Sequence, residues 1–94
     1  MRIEPNNPNI LDTYGFLLLK NGRAVEARRI LERVASIMPN NPSVNYHLAL
    51  AYKQSGDRAQ ALSRVNKALE SGRFAEEREA RLLLAELSGT GKGR

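Results

Sequence analysis

The residue types best suited to chemistry are a histidine, a serine and an aspartate at helical spacings. His47 is the only histidine, Ser43 precedes it by one helical turn, and Asp12 occupies the equivalent turn of an earlier segment. A hydroxyl, an imidazole and a carboxylate are the parts of an activated nucleophile. On an open helical surface, however, a lone Ser and His lack the pocket and the oxyanion donors that this chemistry needs. We therefore expect a structural or ligand-contacting role for His47, and a protein that is not an enzyme.

Metal binding would need several His, Cys or carboxylate ligands that converge on one point. Asp12 and His47 supply at most two. The chain has no cysteine, which excludes disulfides, thiolate catalysis and cysteine metal sites. We predict neither a metal ion nor another cofactor.

The net charge of +5 raises the alternative of a nucleic-acid-binding surface. Acids are interleaved with the arginines, however, and Arg28 and Glu32 have the i, i+4 spacing of a surface ion pair on a helix. No aromatic residues alternate with these arginines. We therefore expect a solvated, ion-paired face rather than a nucleic-acid surface. The sequence has no apolar run of 18 residues that would predict a membrane span, and it leaves the compartment open between cytoplasm and periplasm.

An internal repeat must position these side chains. The four residues Pro-Asn-Asn-Pro occur at 5–8 and again at 39–42, 34 positions apart. Other pairs keep identity or character at the same offset, namely Gly22/Gly56, Ala27/Ala61, Ile10/Val44, Gly15/Ala49, Phe16/Leu50, Leu31/Val65 and Arg33/Lys67. A fixed period of this length is typical of stacked helical architectures.

The repeated Asn-Pro pairs and glycines predict where helices begin and end. Asn7 and Asn41 are good N-caps before a proline at the first helical position, and Gly22 and Gly56 are suited to end a helix in a left-handed conformation. Asp57 is a third predicted cap. The predicted helices run from Pro8 to about Lys20, from about Ala24 to Ile37, from Pro42 to about Gln54, from just after Asp57, and from about Ala75 to Leu87.

This pattern divides the chain into five parts. Because residues 1–4 correspond to residues 35–38, we expect the chain to be a piece of a longer repeat protein. The predicted parts are the tail of a preceding repeat (1–7), a first repeat (8–41), a second repeat (42–74), a polar-backed capping helix (75–88) and a flexible tail (89–94).

The period, the small residues and the turn glycines together resemble the tetratricopeptide repeat family. The first unit matches its pattern at Leu11, Tyr14, Gly15, Leu18, Ala27, Leu31, Val34 and Pro39, and the second at Leu48, Ala49, Tyr52, Ala61, Val65 and Ala68. Asn45 and Arg73 depart from it, where a large apolar residue and a proline are expected. The segments 12–15, 46–49 and 80–83 are also similar to the C-terminal ends of large bacterial repeat proteins, some of them associated with exopolysaccharide production or export.

The resemblance implies an all-α, right-handed α-α superhelix of two helical hairpins and a capping helix. It also implies protein–protein interaction, with a peptide or helix of a partner bound in a concave groove. Carried over by position, the groove residues are Asp12, Thr13, Phe16, Leu19, Lys20, Tyr46, His47, Leu50 and Lys53, flanked by Asn9 and Ser43. The Lys and Asn of the family's carboxylate clamp are replaced here, so we do not expect binding to chaperone tails.

Two further expectations concern the surface. Tyr46 and His47 depart from the apolar repeat, so we expect them to line the groove and to be replaceable with little effect on thermal stability. The first helix is apolar on many sides, and we expect its outer edge, with Ile10, Tyr14 and Leu17, to favour self-association. The alternative to groove binding is a purely structural role as the cap of a longer array.

Overall fold

The computed structural model describes residues 7–89. The described residues form five α-helices, α1 (Pro8–Lys20), α2 (Ala24–Ile37), α3 (Pro42–Gln54), α4 (Arg58–Glu70) and α5 (Glu77–Leu87). The predicted all-α helical repeat is therefore confirmed. The expectations for residues 1–6 and for 90–94 concern positions outside the described range.

Side-chain caps begin α1, α3 and α4 at the predicted residues. The Asn7 Oδ1 atom accepts hydrogen bonds from the backbone N–H groups of Asn9 at 3.1 Å and Ile10 at 3.2 Å. The Asn41 Oδ1 atom accepts one from Val44 at 3.1 Å, and Asp57 begins α4 in the same way. Each cap satisfies backbone donors that the first helical turn leaves free.

The two turn glycines take the conformation that the sequence predicts. Gly22 has φ = 76° and Gly56 has φ = 87°, in the left-handed region that side chains with a Cβ resist. The chain reverses there within three residues, so that α1 pairs with α2 and α3 with α4 as helical hairpins. Helix α2 also packs against α3, and α5 packs against α4, which gives one continuous stack.

Helix α5 begins at Glu77, two residues later than predicted from the sequence. The Phe74 carbonyl instead accepts a turn hydrogen bond from the Glu77 N–H at 3.1 Å. Glu76 stands at the N-cap, but its side chain makes no capping hydrogen bond. Its carboxylate is bound to side chains of α3, as described below, and this contact fixes the turn.

The core follows the repeat. Its fully buried members come from all the hairpin interfaces, and the same repeat position often recurs in both units. They include Ala27, Leu31, Val34, Leu48, Ala49, Ala51, Ala61, Val65, Ala68 and Ala80. Among the described residues no helix is both long and apolar enough to cross a membrane.

Gly15 sets the distance between α1 and α2. A Cβ atom at this position would lie 2.7 Å from Leu31 Cγ and 2.8 Å from Leu31 Cδ2, closer than real Cβ contacts come. The second repeat solves the same packing problem with Ala49 and Val65, a larger and a smaller residue at the equivalent positions. The two pairs are therefore alternative solutions of similar total volume.

Asn45, the departure from the family pattern, is fully buried and makes hydrogen bonds with both its amide atoms. Its Nδ2 donates to the carbonyls of Pro39 at 3.0 Å and Asn41 at 3.2 Å, and its Oδ1 accepts from Arg64 Nη1 at 3.0 Å. A buried amide is tolerated when its donors and acceptor are satisfied. Asn45 thereby joins the loop between the repeats to α4.

Replacing Gly15 and Leu31 with Ala and Val, the residue types of the second repeat's pair, tests the packing argument. We expect Gly15→Ala alone to lower the free energy of unfolding by roughly 1–3 kcal/mol, because the added methyl group overlaps Leu31. Adding Leu31→Val should recover most of that loss, as measured by urea denaturation. A double variant no more stable than Gly15→Ala would contradict the explanation.

Tyr52 generates a pH-dependent prediction. Its hydroxyl donates to Glu32 Oε2 at 2.5 Å, and Arg28 Nη1 donates to the same oxygen at 3.2 Å. Burial first, then the hydrogen bond to Glu32 and its charge, raise the pKa of Tyr52 from 10.0 to about 12, against the opposing charges of Arg64 and Arg28. The neutral phenol is therefore favoured in the folded state.

The sign follows from proton linkage. Stability contributed by neutral Tyr52 is fully present below pH 10 and is lost as the pH rises toward 12, because only the unfolded chain then releases the proton. We expect Tyr52→Phe to cost about 1 kcal/mol at pH 7 through loss of the hydrogen bond. The difference from the wild type should shrink at pH 11 in urea denaturation, whereas a constant difference would show that Tyr52 has no linked proton.

Candidate protein-binding surface

The nine predicted groove residues lie on two adjacent helices, α1 and α3. Their exposure divides them into three groups. Thr13, Lys20 and Lys53 are exposed, and Asp12, Phe16 and Leu50 are half-buried. The buried members are Leu19, Tyr46 and His47.

The expectation that Tyr46 and His47 present accessible surface disagrees with their burial. Tyr46 is 9% exposed and His47 is 7% exposed. Tyr46 belongs to the hydrophobic core, and His47 lies between Asp12, Phe16 and Glu76, the residue just before α5. Their contact with a partner protein stays a prediction, but neither side chain can be removed without changing the interior.

His47 joins three segments of the chain. Its Nδ1 atom lies 2.8 Å from Asp12 Oδ1 on α1, and its Nε2 atom lies 3.3 Å from Glu76 Oε2 at the start of α5. Both carboxylates are partly shielded, with side-chain exposures of 20% for Asp12 and 30% for Glu76. The Nδ1–Asp12 contact is a hydrogen bond and an oxygen of Glu76 lies close to Nε2, so this ring connects the first repeat to the segment that leads into the last helix.

The same geometry argues against the nucleophile–base interpretation of Ser43 and His47. The Ser43 hydroxyl donates to Glu76 Oε1 at 2.7 Å, while the His47 Nε2 atom faces the other oxygen of that carboxylate. The hydroxyl and the ring therefore face the same carboxylate. An activated serine requires the hydroxyl to donate to the imidazole itself.

The carboxylates around His47 also have the wrong arrangement for a shared metal ion. Asp12 and Glu76 lie at opposite nitrogens of one ring, so their oxygens and a ring nitrogen do not converge. Within residues 7–89 no three His, Cys, Asp or Glu side chains are grouped in a way that could hold a metal ion.

Aromatic contacts complete the surroundings of His47. The Phe16 ring stacks on it with centroids 4.6 Å apart and an interplanar angle of 30°. The Tyr46 ring is tilted against it at 5.8 Å. Lys20 Nζ lies 5.2 Å from the centroid of the Phe16 ring, a cation–π distance. Lys20 and one face of Phe16 thus form the outer side of a stack whose inner side is His47.

Two carboxylates, Glu76 just before α5 and Glu86 near its end, contact side chains of α3, and sequence reasoning missed this role. Glu76 contacts Ser43 and His47, and Glu86 Oε2 lies 2.7 Å from Lys53 Nζ. Burial first, then the charges of Glu79 and Glu76, raise the pKa of Tyr46 above its ordinary value. From the sequence alone these acids were assigned no contact. The signal that could have found them is their spacing, which places 76, 79 and 86 on one helical face.

The accessible part of the predicted groove is therefore a set of five side chains, which we call the α1–α3 shelf. It consists of Thr13, Phe16, Lys20, Leu50 and Lys53. An aromatic ring and an aliphatic side chain lie beside two ammonium groups. Such a surface offers apolar contact together with hydrogen-bond donors.

Two stacked helical hairpins and a terminal helix, with polar contacts between successive helices, define a helical-repeat protein. A family model described as Tetratricopeptide repeat matches residues 18–87, and the chain belongs to that family. The family generally acts in protein–protein interaction, as a non-catalytic module. The chain has no significant match among curated proteins or among solved structures. The match does not address the predicted likeness to proteins of exopolysaccharide export.

Replacement of His47 tests the interior role that its contacts indicate. We expect His47→Ala to lower the free energy of unfolding by on the order of 2 kcal/mol, because Asp12 and Glu76 lose a shared partner and Phe16 loses a packed ring. Urea denaturation measures the change. Thr13→Ala, on an exposed neighbouring side chain, should change stability by less than about 0.5 kcal/mol. Equal effects of the two substitutions would show that the contacts of His47 do not stabilise the fold.

Proposed function

We propose that this protein is a non-catalytic interaction module that binds a peptide or a helix of a partner protein along the α1–α3 shelf. The observation that carries the proposal is that half-buried Phe16 and Leu50 lie beside two exposed lysines, above side chains that contact one another. Aromatic residues that are partly exposed in a defined position are frequent anchors of protein interfaces.

The ordered side chains beneath Phe16 support the proposal. Phe16 stacks on the His47 ring at 4.6 Å, and a carboxylate oxygen lies close to each nitrogen of that ring, at 2.8 Å for Asp12 and 3.3 Å for Glu76. A contact surface that is already ordered loses little conformational entropy when a partner binds. The stack therefore favours Phe16 as the anchor, with Lys20 beside it as a donor to carbonyl or carboxylate oxygens.

The alternative of a purely structural cap is favoured by a different observation. Arg58 Nε on α4 donates to the carbonyl of Leu87 at 2.5 Å, at the C-terminal end of α5, and Lys53 binds Glu86 one residue before it. These contacts fasten α5 across the end of the second hairpin. A cap needs such fastening, but it does not need the Phe16 ring to be presented on the shelf.

The nucleic-acid alternative has less support among the described residues. Arg23, Arg28 and Arg81 are paired with Glu26, Glu32 and Glu77 on their own helices. Binding that depended on phosphate contacts would weaken steeply as salt concentration rises. Binding by the shelf, with its apolar component, should show a much shallower dependence.

Peptides selected from a displayed random library on the full 94-residue chain provide the test. We expect Phe16→Ala and Lys20→Gln each to weaken a selected peptide, the former by about tenfold or more, which corresponds to about 1.4 kcal/mol. Fluorescence anisotropy measures the affinity, at two salt concentrations. Val25→Ala is the matched control, because Val25 is 54% exposed on α2, outside the shelf.

The outcomes separate the alternatives. Loss of affinity with Phe16→Ala and Lys20→Gln, with Val25→Ala unchanged, supports the shelf. Peptides that bind all variants equally would place the binding surface elsewhere, and failure to select any peptide would favour the structural cap. Because Lys20 is exposed, Lys20→Gln should leave the melting temperature unchanged, so that its effect reports binding alone.

A further inference from the structure

The turn that joins α1 to α2 contains a pair of residues that can react with each other. Asn21 is the one asparagine of the sequence that a glycine follows. The backbone nitrogen after an asparagine is a nucleophile for the side-chain amide carbon, and Gly22 hinders this attack least because it has no Cβ. Both residues are exposed, so water, which completes the reaction, reaches them.

The other asparagines lack one of these conditions. A proline follows Asn7 and Asn41, and its ring nitrogen carries no hydrogen to lose. Asn45 is fully buried, and hydrogen bonds occupy both atoms of its amide. A residue with a Cβ follows each of the remaining asparagines, which are Asn6, Asn9, Asn40 and Asn66. Asn21 alone combines exposure with a glycine neighbour.

Hydrogen bonds hold the reacting groups of the turn in its closed form. Asn21 Nδ2 donates to the Leu17 carbonyl at 3.1 Å, and the Gly22 N–H donates to the Leu19 carbonyl at 3.1 Å. Bonds at the exposed end of a helix open at a small free-energy cost, which frees both groups. A Cβ placed on Gly22 would meet nothing within 4 Å, so no neighbouring side chain obstructs the movement.

We propose that Asn21 is a site of spontaneous deamidation, which converts this turn to aspartate and isoaspartate. The Gly22 backbone nitrogen forms a bond to Asn21 Cγ and gives up its hydrogen, and Nδ2 leaves with that hydrogen as ammonia. Water then opens the five-membered succinimide ring. Cleavage of the new Cγ–N bond yields aspartate, and cleavage of the original peptide C–N bond yields isoaspartate. The reaction needs neither an oxidant nor a reductant.

Both products weaken the first hairpin. Each places a carboxylate at the C-terminal end of α1, where the helix dipole disfavours negative charge, and each loses the amide that donates to Leu17. Isoaspartate also adds a methylene group to the backbone, which displaces the N–H groups of Gly22 and Arg23 from their carbonyl acceptors on α1. The inference does not depend on the proposed function, although α1 carries part of the shelf.

The second repeat contains the same turn without the reactive amide. Asn21 has φ = −94° and ψ = 9°, and its equivalent Ser55 has φ = −87° and ψ = 3°. The glycine that follows Ser55 has φ = 87°, and its N–H donates to the Lys53 carbonyl at 3.1 Å. Because the two backbones are so similar, Ser55→Asn should create a second reactive site.

Incubation of the folded full chain in mildly alkaline buffer, followed by proteolysis and mass spectrometry, tests the proposal. We expect Asn21 to gain the mass difference between an amide and a carboxylic acid, in two products that chromatography separates. Asn21→Ser, which copies the second repeat, should abolish this signal, and Ser55→Asn should add one in the second turn. The modified chain should melt a few degrees below a freshly prepared one.

Three outcomes would overturn the proposal. The first is a folded chain that keeps its Asn21 amide while the chain unfolded in guanidinium loses it, because the closed turn would then prevent the reaction. The second is deamidation spread evenly over the exposed asparagines, since the glycine would then have no influence. The third is a folded Ser55→Asn chain with an unreactive second turn, which would show that this backbone conformation does not permit the attack.

Discussion

The close approach of the two helices in each hairpin is the constraint on which the rest of the structure depends. In the first hairpin Gly15 leaves only enough space for Leu31, and in the second Ala49 and Val65 divide a similar volume differently. Because interiors are close-packed, a residue of the wrong size here displaces a whole helix rather than one side chain. The positions of α1 and α3, and hence of every shelf residue, follow from these contacts.

The helix boundaries could be predicted because the signals that set them are local. Asn7 and Asn41 cap through their own side chains, and Gly22 supplies a positive φ that few other residues adopt. The start of α5 was misplaced by two residues for the opposite reason. Glu76 binds Ser43 and His47, more than 25 positions earlier in the chain, and no local pattern records that contact.

The candidate site was less predictable than the fold, since it depends on residues that do not repeat. The position equivalent to His47 in the first unit is Thr13, and the position equivalent to Asn45 is Leu11. A sequence period shows what the two units share, so it predicts the common core. It cannot predict the roles of residues that differ between the units. His47 could be assigned to a groove position, but its burial required knowledge of where Glu76 lies.

The polar contacts between α3 and α5 fix a register that apolar packing alone would leave loose. Ser43 and Lys53 are ten positions apart on α3, and their partners, Glu76 at the N-cap of α5 and Glu86 on α5, are also ten positions apart. The two helices therefore run in the same direction, and sliding α5 by one turn would break both contacts at once. Apolar surfaces are non-directional, whereas each of these carboxylates has a defined partner. The last helix is thus held by α4 through burial and aligned to α3 through charge. That alignment brings Glu76 to His47. The ring of His47, the single histidine of the chain, is thereby positioned to support the stacked ring of Phe16.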